Sequence, residues 1–342
     1  MTNEFPLVCI CVPTYNAAKT VRETLESILA QTYPNLVVHV SDNASSDGTV
    51  AVIESILDAR VIIHRHAENI GGEGNFNRCI QLAEGKYTAI FHADDIYEPD
   101  MVAKQVAFLE AHPEAGAVFT EACLINEVGN RIGEIRLPQG LASRSGIYDF
   151  ATMFKAVLRH ANFFICPSFM VRTQIYLQEI KVWRGELFGS GADLDVWLRI
   201  LQRHPIGHLP EQLIRYRVGT QQFSAQVRRE TGKSLLFKIV DHYLAQEQVG
   251  AMLDASDLRN YKWMERRDRV MRALNLFLTD RPQEAGILLN DIYSRDAFNA
   301  AFQSKRGMLA LVVGVYIRLL VAAGLNKIGK SSLAYITQIT NR

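Results

Sequence analysis

Four short apolar runs near the start of the chain, Leu7–Val12, Leu36–Ser41, Val61–His66 and Tyr87–His92, alternate with stretches of helical spacing. The runs are brief and rich in Val and Ile, the pattern of strands buried on both faces. Between them, Val21, Leu25, Ile28 and Leu29 repeat at helical intervals, as do Val52, Ile53 and Ile56. Asn75 to Ala83 reads as a third helix, with Gly85 placed to end it. Strand–helix alternation requires right-handed crossovers, hence an α/β fold with a mostly parallel, Rossmann-like sheet flanked by helices. Ligands bind such sheets beyond the carboxyl ends of the strands. The polar loops Pro13–Asn16, Asp42–Thr49 and Ala93–Asp95 lie at those ends.

Downstream, Pro99 suits the first turn of a helix running to about His112. Gly116–Ile125 and Arg131–Arg136 read as strands joined by a Val-Gly-Asn turn. Helical patterns follow at Phe150–Arg159, Thr173–Ile180 and Asp193–Arg203, then a last strand, Leu213–Val218. A polar stretch, Gly219–Gly232, marks a boundary, and Lys233 to Arg342 has almost no strand signal. The predicted division is an α/β domain over 1–225 and a C-terminal helical region over 226–342.

The 342 residues include 37 Lys and Arg against 36 Asp and Glu, a net charge of +1. That balance argues against a surface that tracks nucleic acid, and none is expected as a partner. Met1 to Pro6 lacks the basic start, apolar run and cleavage site of a secretory signal. The five cysteines, Cys9, Cys11, Cys79, Cys123 and Cys166, show no zinc-like spacing, which fits reduced thiols and a cytoplasmic location. Cys9 and Cys11 sit in a strand-like run and read as small packing residues.

Four constellations carry chemistry. Pro13-Thr14-Tyr15-Asn16 leaves strand one and by itself is an ordinary turn. Ser41 to Thr49 leaves strand two. Asp42, at the strand end, is placed to accept hydrogen bonds from a base or ribose, whereas Asp47 reads as a helix N-cap. Asn69-Ile70-Gly71-Gly72-Glu73-Gly74 holds three glycines in four residues, a backbone that bends sharply or meets a ligand closely. It follows the third strand with the wrong spacing for a dinucleotide fingerprint. Arg78, just beyond, could neutralise phosphate or be an ordinary surface group. Finally, Asp94 and Asp95 follow an apolar strand. Adjacent carboxylates at a strand exit repel unless a cation or hydrogen bonds compensate, and Mg2+ or Mn2+ takes carboxylate oxygens while bridging to phosphates.

Taken together over Pro6 to Ser224, these residues resemble glycosyltransferase family 2, inverting enzymes of the GT-A fold. The resemblance is carried by Pro13-Thr14-Tyr15-Asn16, Asp42 to Thr49, Asn69 with Gly71, and Ala93-Asp94-Asp95. Ala192 to Arg199 and Tyr216-Arg217 also match. It implies a nucleotide-binding half over 1–105 and an acceptor half over 106–225. It also implies a nucleotide site of Pro13, Thr14, Tyr15, Asn16, Asp42, Asn69, Arg78 and Asp94. Asp95 would hold a divalent metal, Mn2+ or Mg2+, and Asp193 would be the catalytic base. The implied reaction moves a sugar from a nucleotide-diphosphate donor to a glycan or lipid-linked acceptor in polysaccharide biosynthesis. Two departures stand out: His92 replaces an acid found in many members, and Gly219 stands where many carry a histidine.

Asp193 follows Gly189-Ser190-Gly191 at a helix start, so an N-cap is its structural alternative. Asp195, two residues on, points about 200° away and is expected to pair with Arg199 at i, i+4. A sugar nucleotidyltransferase would carry a Gly-rich basic loop after strand one, where this chain has Pro-Thr-Tyr-Asn. A binding protein on a degenerate fold would not need both acidic positions. The apolar stretch Met308–Leu325, broken by Arg318, is too interrupted to span a membrane. It suits a core helix, or a helix lying peripherally at the inner face of an anionic membrane.

Overall fold

A computed structural model describes residues 5–141, 146–219, 231–291, 294–302, 305–327 and 329–333. It divides into two compact units, one of residues 1–157 with 162–219 and one of residues 158–161 with 220–342. The boundary expected at 225 lies outside the described residues.

The first unit is built on one ten-stranded sheet. Its first half alternates β1 (Val8–Thr14), α1 (Val21–Leu29), β2 (Leu36–Asp42), α2 (Thr49–Glu54), β3 (Val61–Arg65), α3 (Gly71–Gln81) and β4 (Tyr87–Ile90). β1 pairs in parallel with both β2 and β4, and β3 extends the parallel sheet from β2. Val8, Ile10 and Val12 are fully buried, as are Cys9 and Cys11, so the thiols are packing groups. The chain thus runs outward from β1 to β3 and returns to the other side of β1 as β4. The switch point lies between β1 and β4 at their carboxyl ends.

The second half completes a mixed sheet: β5 (Ile96–Tyr97), α4 (Met101–Ala111), β6 (Ala117–Ile125), β7 (Arg131–Ile135), β8 (Ile147–Tyr148), α5 (Phe150–His160), β9 (Met170–Arg172), α6 (Gly185–Phe188), α7 (Ala192–Leu201) and β10 (Ile206–Arg217). The strand order is β3-β2-β1-β4-β9-β6-β10-β5. β9 runs antiparallel between β4 and β6. At three residues it is too short to leave a periodic signal. The segment after it, expected as an α-helix over Thr173–Ile180, is π-helical over Ile175–Ile180. The last strand, expected from Leu213, begins at Ile206 because two register shifts against β6 interrupt its alternation. α3 begins at Gly71 rather than Asn75. Gly71 makes the entry turn with φ of 77°, a conformation side chains with a Cβ resist.

Every described regular element of the second unit after residue 230 is helical. These are α8 (Leu235–Leu244), α9 (Glu247–Gly250), α10 (Ala255–Leu278), α11 (Pro282–Leu288), α12 (Arg295–Ala301) and α13 (Lys305–Ala322). Asp254 and Asp257 cap α10 reciprocally. Leu311, Val313, Ile317 and Leu320 of α13 join Phe277, Leu274 and Ala285 in this unit's core. Arg318, the charge that breaks the apolar stretch, turns inward to the Gly286 carbonyl at 2.9 Å and the Asn290 side chain at 3.0 Å. Among the described residues no helix is long and apolar enough to cross a membrane.

Candidate active site

Hydrogen bonds tie the loops after β1, β2 and β3 to one another. Asn16, in the left-handed region at φ 49°, donates its N–H to Ser45 Oγ and accepts the Ser46 N–H, both at 2.9 Å. Asp47 accepts the Thr49 N–H at 2.9 Å and the Ala18 N–H at 3.2 Å. It therefore fastens the start of α2 although Gly48 takes the N-cap position. Asn43 donates to Asn69 Oδ1 at 2.9 Å and to the Gly71 carbonyl at 3.1 Å, and accepts the Ile70 N–H at 2.9 Å. Asn75 donates to the Thr14 and Ser41 carbonyls, and the Thr14 hydroxyl also donates to Ser41. Thr14, Asn16 and Asn69 thereby hold the rim in shape. Asp42 is 2% exposed, and its Oδ2 accepts the Ser45 N–H at 3.1 Å. Its Oδ1 has no hydrogen-bond partner among the described residues. Tyr15, beside partly buried Pro13, is 50% exposed.

Arg78 lies further along α3. α3 runs antiparallel to β1, since the Cys79 and Leu82 carbonyls accept from Cys11 and Cys9. Because α3 starts at Gly71, Arg78 falls two turns, about 10 Å, down the helix. There it donates to Gln81 at 3.3 Å and acts electrostatically on His64.

The loop after β4 is held by its backbone. The His92 N–H donates to the Tyr97 hydroxyl at 2.7 Å, and that hydroxyl donates back to the His92 carbonyl at 3.2 Å. Thr20 and Thr24 hydroxyls donate to the Ala93 and Asp95 carbonyls at 2.9 and 2.8 Å. Arg217, delivered by the β5–β10 pairing, donates its backbone N–H to Asp95 Oδ1 and its Nε to the Asp94 carbonyl, both at 2.8 Å. The same guanidinium binds the Asn126 and Glu127 carbonyls and the Glu23 carboxylate, which fixes it.

The side chains of this loop converge. His92, Asp94 and Asp95 each place a ligand atom within 4.8 Å of the others. Asp95 is 0% exposed, and its Oδ2 has no hydrogen-bond partner among the described residues. Burial, reinforced by the Asp94 charge, pushes its carboxyl well above the usual range, against the pull of Arg217. Burial also lowers the His92 imidazole below its ordinary value, favouring the neutral ring. A buried carboxylate with an unpaired oxygen is costly unless a cation meets it. This donor set therefore fits a divalent metal.

Asp193 lies one residue into α7, where Gly191 is the N-cap, so capping is not its task. Its Oδ1 accepts the Leu194 N–H at 2.7 Å, and the nearby Asn162 side chain favours the ionised form. Although the residue is only half-buried, the protein mass around the carboxyl desolvates it and raises its pKa to about 6, outweighing both. Asp195, fully buried, is clamped by Arg184 through both carboxylate oxygens and by Arg199 Nε at 3.0 Å. The expected Asp195–Arg199 pair is present; the Arg184 partner was not foreseen.

Tyr216 and Cys166 feel the charges of both acidic centres. Burial raises the Tyr216 phenol well above its usual range, and Asp95, Asp94, Cys166 and Asp193 add to the effect. The Cys166 thiol is likewise raised, by burial and then by Asp193 and Asp95. Asp94, Asp95 and Asp193 therefore all lie within electrostatic range of Tyr216. In the sequence, Asn162 and Cys166 fall in the segment Asn162–Phe169, expected to shape donor choice, and Tyr216-Arg217 is a motif match with no role attached.

A mixed, largely parallel sheet with a hydrogen-bonded loop rim and an acidic loop at its switch point is the architecture of the GT-A fold. Residues 9–178 match the model of Glycosyl transferase family 2, and the chain belongs to that family. An uncharacterized glycosyltransferase of Methanocaldococcus jannaschii is 29% identical over 218 residues, 62% of this chain and 71% of the relative. The UDP-Glc:alpha-D-GlcNAc-diphosphoundecaprenol beta-1,3-glucosyltransferase WfaP of Escherichia coli is 34% identical over 104 residues, 30% of this chain and 41% of that protein. Among solved structures, S. aureus TarS 1-349 with UDP-GlcNAc superposes with a TM-score of 0.60 at 17% identity, covering 93% of this chain and 92% of that one. The mannosyltransferase PcManGT of Pyrobaculum calidifontis, with GDP-Man and Mn2+, gives a TM-score of 0.50 at 20% identity, covering 93% and 88%. The protein is a glycosyltransferase.

Proposed function

We propose that this glycosyltransferase inverts the anomeric centre as it moves a sugar from a nucleotide-diphosphate donor to a hydroxyl of a glycan or lipid-linked saccharide. The observation that carries the reading is the His92–Asp94–Asp95 cluster, in which one buried Asp95 oxygen has no hydrogen-bond partner among the described residues, together with Asp193 and its raised pKa. On the donor side, the Tyr15 ring stacks on the base and Asp42 Oδ1 accepts a hydrogen bond from base or ribose. Pro13, Thr14, Asn16 and Asn69 shape that pocket, and Asp94 faces the ribose or the metal. Arg78 stays outside the set.

Asp95 would hold Mn2+ or Mg2+. A bound divalent ion supplies Lewis-acid stabilisation of the charge on a departing diphosphate. Asp193 takes the proton of the acceptor hydroxyl. The Leu194 N–H orients its carboxylate, and a pKa of about 6 leaves it ionised at neutral pH yet basic enough to work. One displacement needs no covalent intermediate, so Cys166 need not react.

The acceptor class draws on WfaP, whose printed name specifies a diphosphoundecaprenol-linked sugar. Peripheral membrane contact is the accompanying proposal. Leu309, Val312 and Leu319 of α13 are exposed while Arg318 points inward, leaving an apolar strip on a helix followed by exposed Lys327. Flotation with anionic liposomes tests it, and absence of co-flotation refutes it. For the reaction, the protein is incubated with UDP- and GDP-sugars and a saccharide acceptor, with Mn2+ or Mg2+. Metal-dependent release of nucleoside diphosphate with an inverted product is expected. Retention of configuration, or release unaffected by chelator, overturns the corresponding part.

A further inference from the structure

His92 is the residue of the acidic loop with no task in the reading above, and its surroundings give it one. Its backbone is clamped on both sides by the Tyr97 hydroxyl, and its ring meets Phe76 edge-on with centroids 5.9 Å apart. The imidazole is therefore held in place, yet neither of its nitrogens forms a hydrogen bond to the neighbouring carboxylate. Nδ1 stands 3.8 Å from Asp95 Oδ2, beyond hydrogen-bond length. Nε2 is buried and has no partner among the described residues. Two polar atoms facing one another at that separation, neither bonded to the other, leave room for an ion between them. Ligand atoms about 2.1 Å from one metal lie about 3 to 4 Å apart.

We propose that His92 is a nitrogen ligand to the cation held by Asp95, so that this site selects first-row transition ions over Mg2+. The inference rests on the metal reading above and adds the donor that sets its preference. Mg2+ is hard, favours oxygen and leaves its water reluctantly. An imidazole shifts affinity toward ions later in the series, giving the order Mg2+, Mn2+, Co2+ from weakest to tightest.

The test uses the whole chain and the metals alone. Mn2+ bound to the wild-type protein should show nitrogen coupling in its pulsed electron paramagnetic resonance spectrum. The coupling should change when histidine is labelled with 15N, a readout that needs no variant. In titrations, Co2+ should bind about tenfold or more tighter than Mg2+, and His92→Asp should shrink that ratio about tenfold. Asp95→Ala should remove the site. Bound Mn2+ that depends on Asp95 but shows no histidine coupling overturns the role of His92 while leaving the metal reading intact. Absence of any Asp95-dependent Mn2+ binding overturns both.

Discussion

The rim formed by the loops after β1, β2 and β3 and the loop after β4 lie side by side at one end of the sheet, yet they are finished differently. On the rim, side chains bond to neighbouring loops: Asn43 to Asn69, Asn16 to Ser46, Asn75 to two strand-end carbonyls. In the β4 loop the bonds fall mainly on the backbone, while Asp95 Oδ2 and His92 Nε2 are buried without hydrogen-bond partners among the described residues. A preorganised rim binds with little ordering cost. A loop fixed by its main chain can hold carboxylates where they would otherwise repel, ready for a cation. Changes in the β4 loop and at Asp193 should therefore remove chemistry, and changes in the rim should weaken binding and stability.

The largest expected effect is at Asp95. Asp95→Ala should abolish metal-dependent nucleoside diphosphate release, a loss of about 10³-fold or more, with a native circular dichroism spectrum. Turnover near wild type would move the metal elsewhere. Next, Asp193→Asn should lower the transfer rate by about 10²–10⁴-fold while nucleotide affinity, measured calorimetrically, is retained. Full loss of donor binding instead would make Asp193 part of the donor site.

The same residue predicts a pH signature. With a folded pKa of about 6, Asp193 must lose its proton to act as base, so kcat/KM should fall about tenfold per unit below that pH and level off above it. The stability effect has the opposite sense. The carboxyl's pKa is higher folded than the 3.8 of an ordinary aspartate. Its contribution to stability is therefore full below pH 3.8 and is lost as pH rises through about 6. At pH 7.5 the ionised group costs about 1–3 kcal/mol, discounted for its half-exposed edge. Asp193→Asn should thus melt at or above wild type at pH 7.5, with the gap closing toward pH 4; a clear drop in melting temperature at neutral pH contradicts the desolvated carboxylate.

The smallest effect on chemistry is expected on the rim. Asn43→Ala removes three hydrogen bonds and should cost about 1–3 kcal/mol, read as a lower denaturant midpoint. It should raise the donor KM with kcat held within about threefold. A kcat loss as large as that of Asp193→Asn would erase the distinction between the two regions.

Much of this was legible in one dimension. β1, β2 and β4 announced themselves by mainly apolar runs, because strands covered on both faces show little polar alternation, while the edge strand β3 is only partly buried. Asp42 and Asp95 could be placed at strand ends by counting alone. The separation of Asp193 from Asp195 followed from helical geometry, since two residues on one helix cannot share a face at that spacing. Counting fails at α3, where the glycines that read as a loop became the first turn of the helix and left Arg78 two turns from its start.

The sequence by itself determined the parallel half-sheet, the loops at its carboxyl end and the acidic residues available there, because each depends on neighbours within a few positions. Only the tertiary structure decided which of those residues lose water and which find partners. β9 enters the sheet on three residues because β4 and β6 supply its ladder on both sides. Arg217 reaches Asp95 across 122 positions, and Arg184 claims Asp195 while leaving Asp193 its raised pKa. Burial and hydrogen-bond satisfaction belong to the packed chain, and they turn a list of aspartates into one that can hold a metal, one that can accept a proton and one that holds a helix in place.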